Sequence, residues 1–276
     1  MRLYQMADKV RYSRMTTTER RETFLLEGMF KPGQIECAYV DLDRTVIGSA
    51  VPTSAPLKLE TEPELRAEYF LERRELGVLN SGGKGTIEVD GVTFAMDKMD
   101  CLYVGRGSKS VVFSSADPAD PAAFYLLSYP AHATHPTAMV KFADLEGMKL
   151  GAVETCNKRV IYKAIHKDGL QSCQLVMGFT LLEAGSNWNT MPPHTHMRRS
   201  EIYFYFDMDP AHRVLHLMGP PDETSHLIVA NREVVVSPGW SIHAGVGTKN
   251  YAFCWGMGGE NQDYADMDVA TIPGLR

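Results

Sequence analysis

The sequence predicts an all-β protein folded as two related β-barrels with short flanking helices, and three observations carry that prediction. From about Cys37 onward, short runs rich in Val, Ile, Tyr and Phe alternate with Gly, Pro, Asp and Asn, the text of many short strands at close intervals. The two halves echo each other. Each has a strand, a tight glycine turn and another strand, around Tyr103–Gly107 in the first half and Ser237–Trp240 in the second. Between them, residues 130–158 lose the alternation and read as a connector, so the expected domains are 1–135 and 136–276.

Taken in order, residues 1–30 mix charged and apolar positions, and Thr18–Glu27 reads as a helix. Gly85–Gly91 reads as a strand running into a Val-Asp-Gly turn. Asp100–Gly107 reads as a strand ending on a glycine turn, with strand text resuming at Ser110–Ser115. Beyond the connector, strands are expected at Arg159–Ile165, Gln174–Leu182, Glu201–Phe206, Val214–Met218, Leu227–Val229, Glu233–Val236 and Tyr251–Trp255.

Composition narrows the function classes. The 276 residues are 44% hydrophobic and 22% charged, which suits a globular enzyme and excludes wholesale disorder. A net charge of -6 argues against a nucleic-acid partner, which calls for a basic patch. No run reaches the ~18 apolar residues of a membrane span. The N-terminal text, MRLYQMADKVRYSRMTTTERR, lacks the apolar core of a signal peptide. The five cysteines, at 37, 101, 156, 173 and 254, are odd in number and scattered. They read as reduced thiols, and the expected location is the cytoplasm.

The chemistry concentrates in Met191-Pro-Pro-His-Thr-His-Met-Arg-Arg-Ser-Glu201. In a strand, His194 and His196 would share one face, roughly 7 Å apart at the backbone, and could converge on one ion. Glu201 has the wrong parity for the same strand. Met197–Ser200 should therefore turn, and Glu201 should open the next strand of a hairpin beside the histidines. Pro238-Gly-Trp-Ser-Ile-His243 supplies a tight turn and a fourth ligand, His243. Three imidazoles and a carboxylate suit Zn²⁺, with Fe²⁺, Mn²⁺ or Ni²⁺ also acceptable. Two polar residues on an exposed strand face would give the same HxH text. The glutamate, the rigid Pro192-Pro193 entry and the downstream turn favour the metal. His132, His135, His212 and His216 lack such partners and read as structural. In Glu201–Phe206, Glu201, Tyr203 and Tyr205 share one face and Ile202, Phe204 and Phe206 the other, and neither looks solvated.

These residues resemble the cupin pattern. His194, His196 and Glu201 match its first motif, while Pro238 and His243 keep the spacing of its second, with the glycine one place early at Gly239. Gly247 stands where an asparagine often follows. The resemblance extends to the 4-deoxy-L-threo-5-hexosulose-uronate ketol-isomerase family. It is carried by Tyr69–Val78, Val89–Gly91, Tyr103–Gly107, Trp188–His196, Glu201–Phe206, Trp240–Lys249 and Trp255–Gln262. The resemblance implies a two-cupin (bicupin) fold, one zinc per chain in the C-terminal cupin, a homohexamer and a part in pectin breakdown. The implied reaction converts 5-dehydro-4-deoxy-D-glucuronate to 3-deoxy-D-glycero-2,5-hexodiulosonate, with zinc stabilising an enediolate. Where His243 stands in the second half, the first offers Lys109, so a metal-free first barrel is expected.

A base must carry the proton between C1 and C2. Glu201 is the candidate, a metal-bound hydroxide the alternative, and a hydride shift a third route. The substrate carboxylate needs a cation. Arg159 and Lys163 share a strand face, and Arg198 and Arg199 lie on the turn between ligands, although each is also an ordinary surface charge. Gln174 and Tyr205 are candidates for binding substrate hydroxyls. Rival readings are a cupin dioxygenase using the same site and a sugar-binding cupin whose metal is only structural.

Overall fold

The computed structural model describes residues 1–260 and 262–276, and among them β-structure dominates. Asn261, in the last of the resembling stretches, lies outside the described residues. The chain divides into two compact units. One comprises Met1–Tyr4, Gly28–Leu145 and Lys163–Met177; the other comprises Gln5–Glu27, Glu146–Tyr162 and Gly178–Arg276. Relative to a single cut after residue 135, residues 5–27 thus count with the second unit and 163–177 with the first. The reason is pairing: Leu25–Leu26 is laddered to Val234–Val235 some two hundred residues later, a partnership that local text does not reveal. Among the described residues, no helix is long and apolar enough to cross a membrane.

The first unit has two sheets. The larger runs, in spatial order, Arg2–Tyr4, Ile35–Val40, Thr45–Ala50, Phe124–Pro130, Arg74–Asn80, Cys101–Val104 and Ala138–Val140. The smaller runs Leu57–Lys58, Val111–Ser115, Gly85–Val89 and Val92–Met96. The last two form a hairpin across the expected turn. Its turn residues Asp90 and Gly91 both take positive φ, 48° and 85°, as a two-residue turn matched to strand twist requires. Side chains from both sheets, including Leu76, Val78, Val104, Phe113 and Phe124, make one buried apolar cluster.

A second pair of sheets follows the same plan. The larger runs Gly147–Leu150, Arg159–Ile165, Val176–Leu182, Ala252–Gly259, Arg199–Phe206, Val234–Ser237 and Leu25–Leu26. The smaller runs Trp188–Asn189, Ile242–Gly247, Val214–Gly219 and Ser225–Val229. Every residue of Arg199–Phe206 is buried, because the strand lies between Val234–Ser237 and Ala252–Gly259. That is why neither of its faces reads as solvated.

Three expectations change. The helix spans Thr17–Phe24, capped by Thr16 with Glu19 completing a capping box, and Leu25–Leu26 leaves it to join the sheet. The stretch read as a connector holds two short strands, Ala138–Val140 and Gly147–Leu150. The hairpin expected across the HxH segment is not one. The turn exists, closed by the Arg199 N–H on the His196 carbonyl at 3.2 Å. However, His194–Thr195 pairs with Asp268–Val269, not with the strand after the turn.

Candidate metal centre

His194, His196, Glu201 and His243 come together in the second unit, with their ligand atoms all within 4.8 Å of one another. Each arrives by a different device. His194 is set by its short strand pairing, and His196 sits just before the turn that Arg199 closes. Glu201 follows on the buried strand, where it faces Ser237 of the neighbouring strand. His243 is the second residue of Ile242–Gly247, a strand that follows a turn in which the Ser241 N–H donates to the Pro238 carbonyl at 2.8 Å. Gly239 makes that turn possible: a Cβ there would lie 2.9 Å from the His196 carbonyl oxygen.

The donor atoms converge. His243 Nε2 lies 3.0 Å from His194 Nε2 and 2.9 Å from Glu201 Oε2. His196 Nε2 lies 2.9 Å from the same oxygen. Four ligands around a tetrahedral zinc with bonds of about 2.0–2.1 Å stand about 3.3 Å apart, so this spacing accommodates one cation. His196 Nδ1 lies 2.9 Å from the Arg199 carbonyl, which holds the proton on Nδ1 and leaves Nε2 for a metal.

The electrostatics agree. Burial, with His243 beside it, pushes the His194 imidazole down to about 3 and keeps it neutral. Burial by itself would raise the Glu201 pKa, yet His243 and His196 outweigh it and hold the carboxyl well below its usual range. Burial also opposes charge on His196, but the Glu201 carboxylate outweighs it and raises that imidazole. A cation entering the cluster would take over the role of that proton.

The cluster opens into a cavity of about 440 Å³, whose wall includes His194, His196, Glu201, Arg159, Arg199, Thr180, Thr190, Tyr203 and Tyr264. Of the predicted substrate-binding residues, Arg159 lines it, with Nη1 donating to the Asn157 carbonyl at 2.9 Å. Lys163, Gln174 and Tyr205 do not. Lys163 lies four residues further along the strand from Arg159. The Gln174 side chain donates to the Pro130 carbonyl. Tyr205 is fully buried, with its hydroxyl 2.7 Å from His216 Nδ1.

The two turn arginines separate. Arg198 pairs with Asp266, whereas Arg199 is 2% exposed and enters the cavity wall. Sequence reasoning missed Thr180, Thr190 and Tyr264. These converge from distant segments, and no local pattern marks them. Tyr203 was visible only through its parity with Glu201; its hydroxyl lies 2.9 Å from Thr190 Oγ1.

The chain resembles known proteins along nearly its whole length. The model of the KduI/IolB family matches residues 28–272. A 4-deoxy-L-threo-5-hexosulose-uronate ketol-isomerase of Shouchella clausii is 51% identical over 261 residues, 95% of each chain. One from Caldicellulosiruptor bescii is 50% identical over 265 residues, 96% of each. Among solved structures, an IolB-like protein from Salmonella typhimurium LT2 superposes with a TM-score of 0.73 at 14% identity, covering 90% of this chain and 97% of its own. The oxalate decarboxylase of Lactobacillus farciminis gives 0.58 at 9% identity, covering 83% and 79%. These two likenesses bear on the fold alone.

Proposed function

The chain belongs to the KduI/IolB family, and on that premise we propose that it is a ketol-isomerase acting on 5-dehydro-4-deoxy-D-glucuronate. The product is 3-deoxy-D-glycero-2,5-hexodiulosonate, made by moving a carbonyl from C1 to C2. The observation that carries this reading is the buried three-histidine, one-glutamate cluster at the wall of a cavity large enough for a six-carbon acid. We assign His194, His196, Glu201 and His243 as ligands of one zinc. When bound, that ion supplies Lewis-acid polarisation of the carbonyl and lowers the acidity barrier of the neighbouring C–H bond.

The chain's own groups supply the rest. Glu201 Oε2 takes both imidazole contacts, and no donor holds Oε1 among the described residues. Oε1 is the oxygen with which Glu201 carries the proton between C1 and C2. Arg159 receives the substrate carboxylate. The apolar wall around Ile161, Phe253 and Trp255 excludes water from the reacting carbons.

In the same reading the first unit carries no metal and serves structure and assembly. The protein forms a homo-oligomer, a hexamer as the family resemblance implies, and works in the cytoplasm on products of pectin breakdown. A carbonyl-transfer assay on the ketouronate, run with and without a chelator and after zinc is restored, tests the proposal. Undiminished turnover by the metal-stripped protein rejects the role of the cluster. Deuterium from solvent appearing in the product supports the proton route, and its absence points to a hydride shift.

A further inference from the structure

A second cavity lies in the first unit, on residues that the isomerase reading leaves unused. Tyr69–Val78 contains the sequence Arg73-Arg74-Glu75. Successive strand residues point to opposite faces, and here the two charges are separated. Glu75 is fully buried and fully engaged. It accepts from the Tyr103 hydroxyl at 2.8 Å and from the backbone N–H groups of Cys173, Gln174 and Leu175 at 2.6, 2.8 and 2.9 Å.

Arg74, 6% exposed on the other face, meets only neutral acceptors. Its Nε donates to Ser128 Oγ at 3.1 Å, and its Nη2 to the carbonyls of Arg44 and Ser128 at 2.6 and 2.8 Å. Nothing among the described residues accepts from Nη1, and no carboxylate pairs with Arg74. Burial pulls its pKa down to about 10, with tyrosines and a cysteine as the only groups opposing the shift. A desolvated guanidinium without an anion is costly, and buried charges are ordinarily paired.

Arg74 lines a cavity of about 230 Å³, together with Arg44, Arg73, Tyr39, Phe70 and Pro130. Three arginines therefore line one hollow. Glu64, also at its wall, lies 3.9 Å from the N-terminal ammonium, and Arg73 reaches its sequence neighbour Glu72 at 3.4 Å. Neither carboxylate neutralises Arg74 or Arg44. The strained backbone at Asp43 and Arg44, with φ of 49° and 54°, carries the Arg44 carbonyl onto Arg74 and so places Arg44 at the same hollow.

We propose that this cavity is an anion-binding site that takes the oxyanion group of a small molecule, a carboxylate or a phosphate, as the missing partner of Arg74. Fork-shaped guanidiniums suit either group, and the volume suits a molecule of a few heavy atoms, not a nucleotide. The site is separate from the metal cavity, which shares none of these residues.

Titration calorimetry on the metal-loaded protein tests the assignment, with inorganic phosphate and D-glucuronate as probes. Saturable binding is expected for at least one of them. At least one binding component should weaken roughly tenfold or more in Arg44→Gln and in Arg74→Met, and that same component should persist in Arg159→Ala, whose change lies in the metal cavity. Arg44 is exposed, so Arg44→Gln remains informative if Arg74→Met fails to fold. Binding of phosphate alone, or of the sugar acid alone, identifies which oxyanion the site prefers. No saturable binding of either probe overturns the proposal, as does binding unchanged in Arg44→Gln. A change of oligomeric state in Arg44→Gln without anion binding also overturns it, because an acidic group of a second copy would then fill the hollow.

Discussion

The two large sheets share one strand order, yet what they enclose differs. In each, the five central strands run first, second, last, third and fourth in chain order, and the small sheets match likewise. In the first unit the space between the sheets holds Leu76, Val78, Val104, Phe113, Phe124 and Leu126. In the second, corresponding elements carry Glu201, Tyr203, Tyr205, His216 and His243, all buried. The ladder positions make the exchange explicit. Leu76 faces Val104 at the end of its strand pair, whereas Glu201 faces Ser237 at the end of the matching pair. One framework therefore tolerates a hydrocarbon interior or a polar, hollow one. The hydrocarbon interior needs no partners; the polar one needs a hydrogen bond or a cation for each group it hides.

The sharpest break of this comparison is at the ligands. His196→Ala or Glu201→Gln should lower kcat/KM by roughly a thousandfold or more, since Lewis-acid polarisation supplies several kcal/mol, and metal per chain should fall with it. Leu76→Ala should leave the metal content unchanged. Full metal content in the Glu201→Gln protein would show that the glutamate is not a ligand.

Glu75 is a buried carboxylate of the first unit used wholly for structure. Glu75→Ala strands one hydroxyl and three backbone N–H groups and should cost about 3–5 kcal/mol in denaturant unfolding. Activity per folded molecule and metal content should hold. A midpoint unchanged from wild type would show that the four donors find other partners.

These two cases also show what was legible beforehand. The strands announced themselves by alternation, and the HxH segment by spacing, because both patterns are local. Ile35–Val40, Thr45–Ala50, Arg74–Asn80 and Phe124–Pro130 were covered only by the general β reading of the first half, and the short strands missed include Arg2–Tyr4, Leu25–Leu26, Ala138–Val140 and Gly147–Leu150. These short strands are two to four residues long and exist because a distant strand offers an edge. The four clustered residues were legible as a set, whereas their hairpin was not, since His194–Thr195 takes its partner from the C-terminal segment. The cavity beside the cluster was the least legible. Its wall draws on Thr180, Thr190 and Tyr264, brought together only by the closed fold. Parity placed Tyr205 beside Glu201, but one step deeper, where the hydroxyl meets His216 and not a ligand. Arg74 and Glu75 are sequence neighbours of opposite charge, and the strand's alternation separates them.

The polar interior should also show in acid. Burial, helped by His243, pushes the His216 imidazole down to about 3, against about 6.5 when unfolded. The unfolded chain thus binds more protons as pH falls below about 6.5, and stability is lost progressively until about pH 3. This one group accounts for about 2 kcal/mol between pH 7 and pH 5. His216→Gln should flatten that part of the stability profile measured by denaturant unfolding at the two pH values. An equally steep loss in the variant would assign the sensitivity elsewhere.

The smallest effect concerns the cations, one in each unit, that the comparison sets side by side. Arg74 lacks an anion within its unit, and Arg159 stands in the wall of the metal cavity with a single carbonyl acceptor. If Arg159 serves the substrate carboxylate, its loss removes a contact that is the same in ground state and transition state. Such uniform binding appears in KM and spares kcat. Arg159→Ala should therefore raise KM roughly tenfold, about 1.4 kcal/mol, with metal content intact and kcat within a factor of a few. Arg159→Lys should recover part of the loss, because it restores charge without the bidentate fork. A fall in kcat at constant KM would move Arg159 from holding the substrate to stabilising the charge that develops during reaction. The carboxylate would then have to be held elsewhere, and Arg199, the other guanidinium in that wall, would be the group to change next.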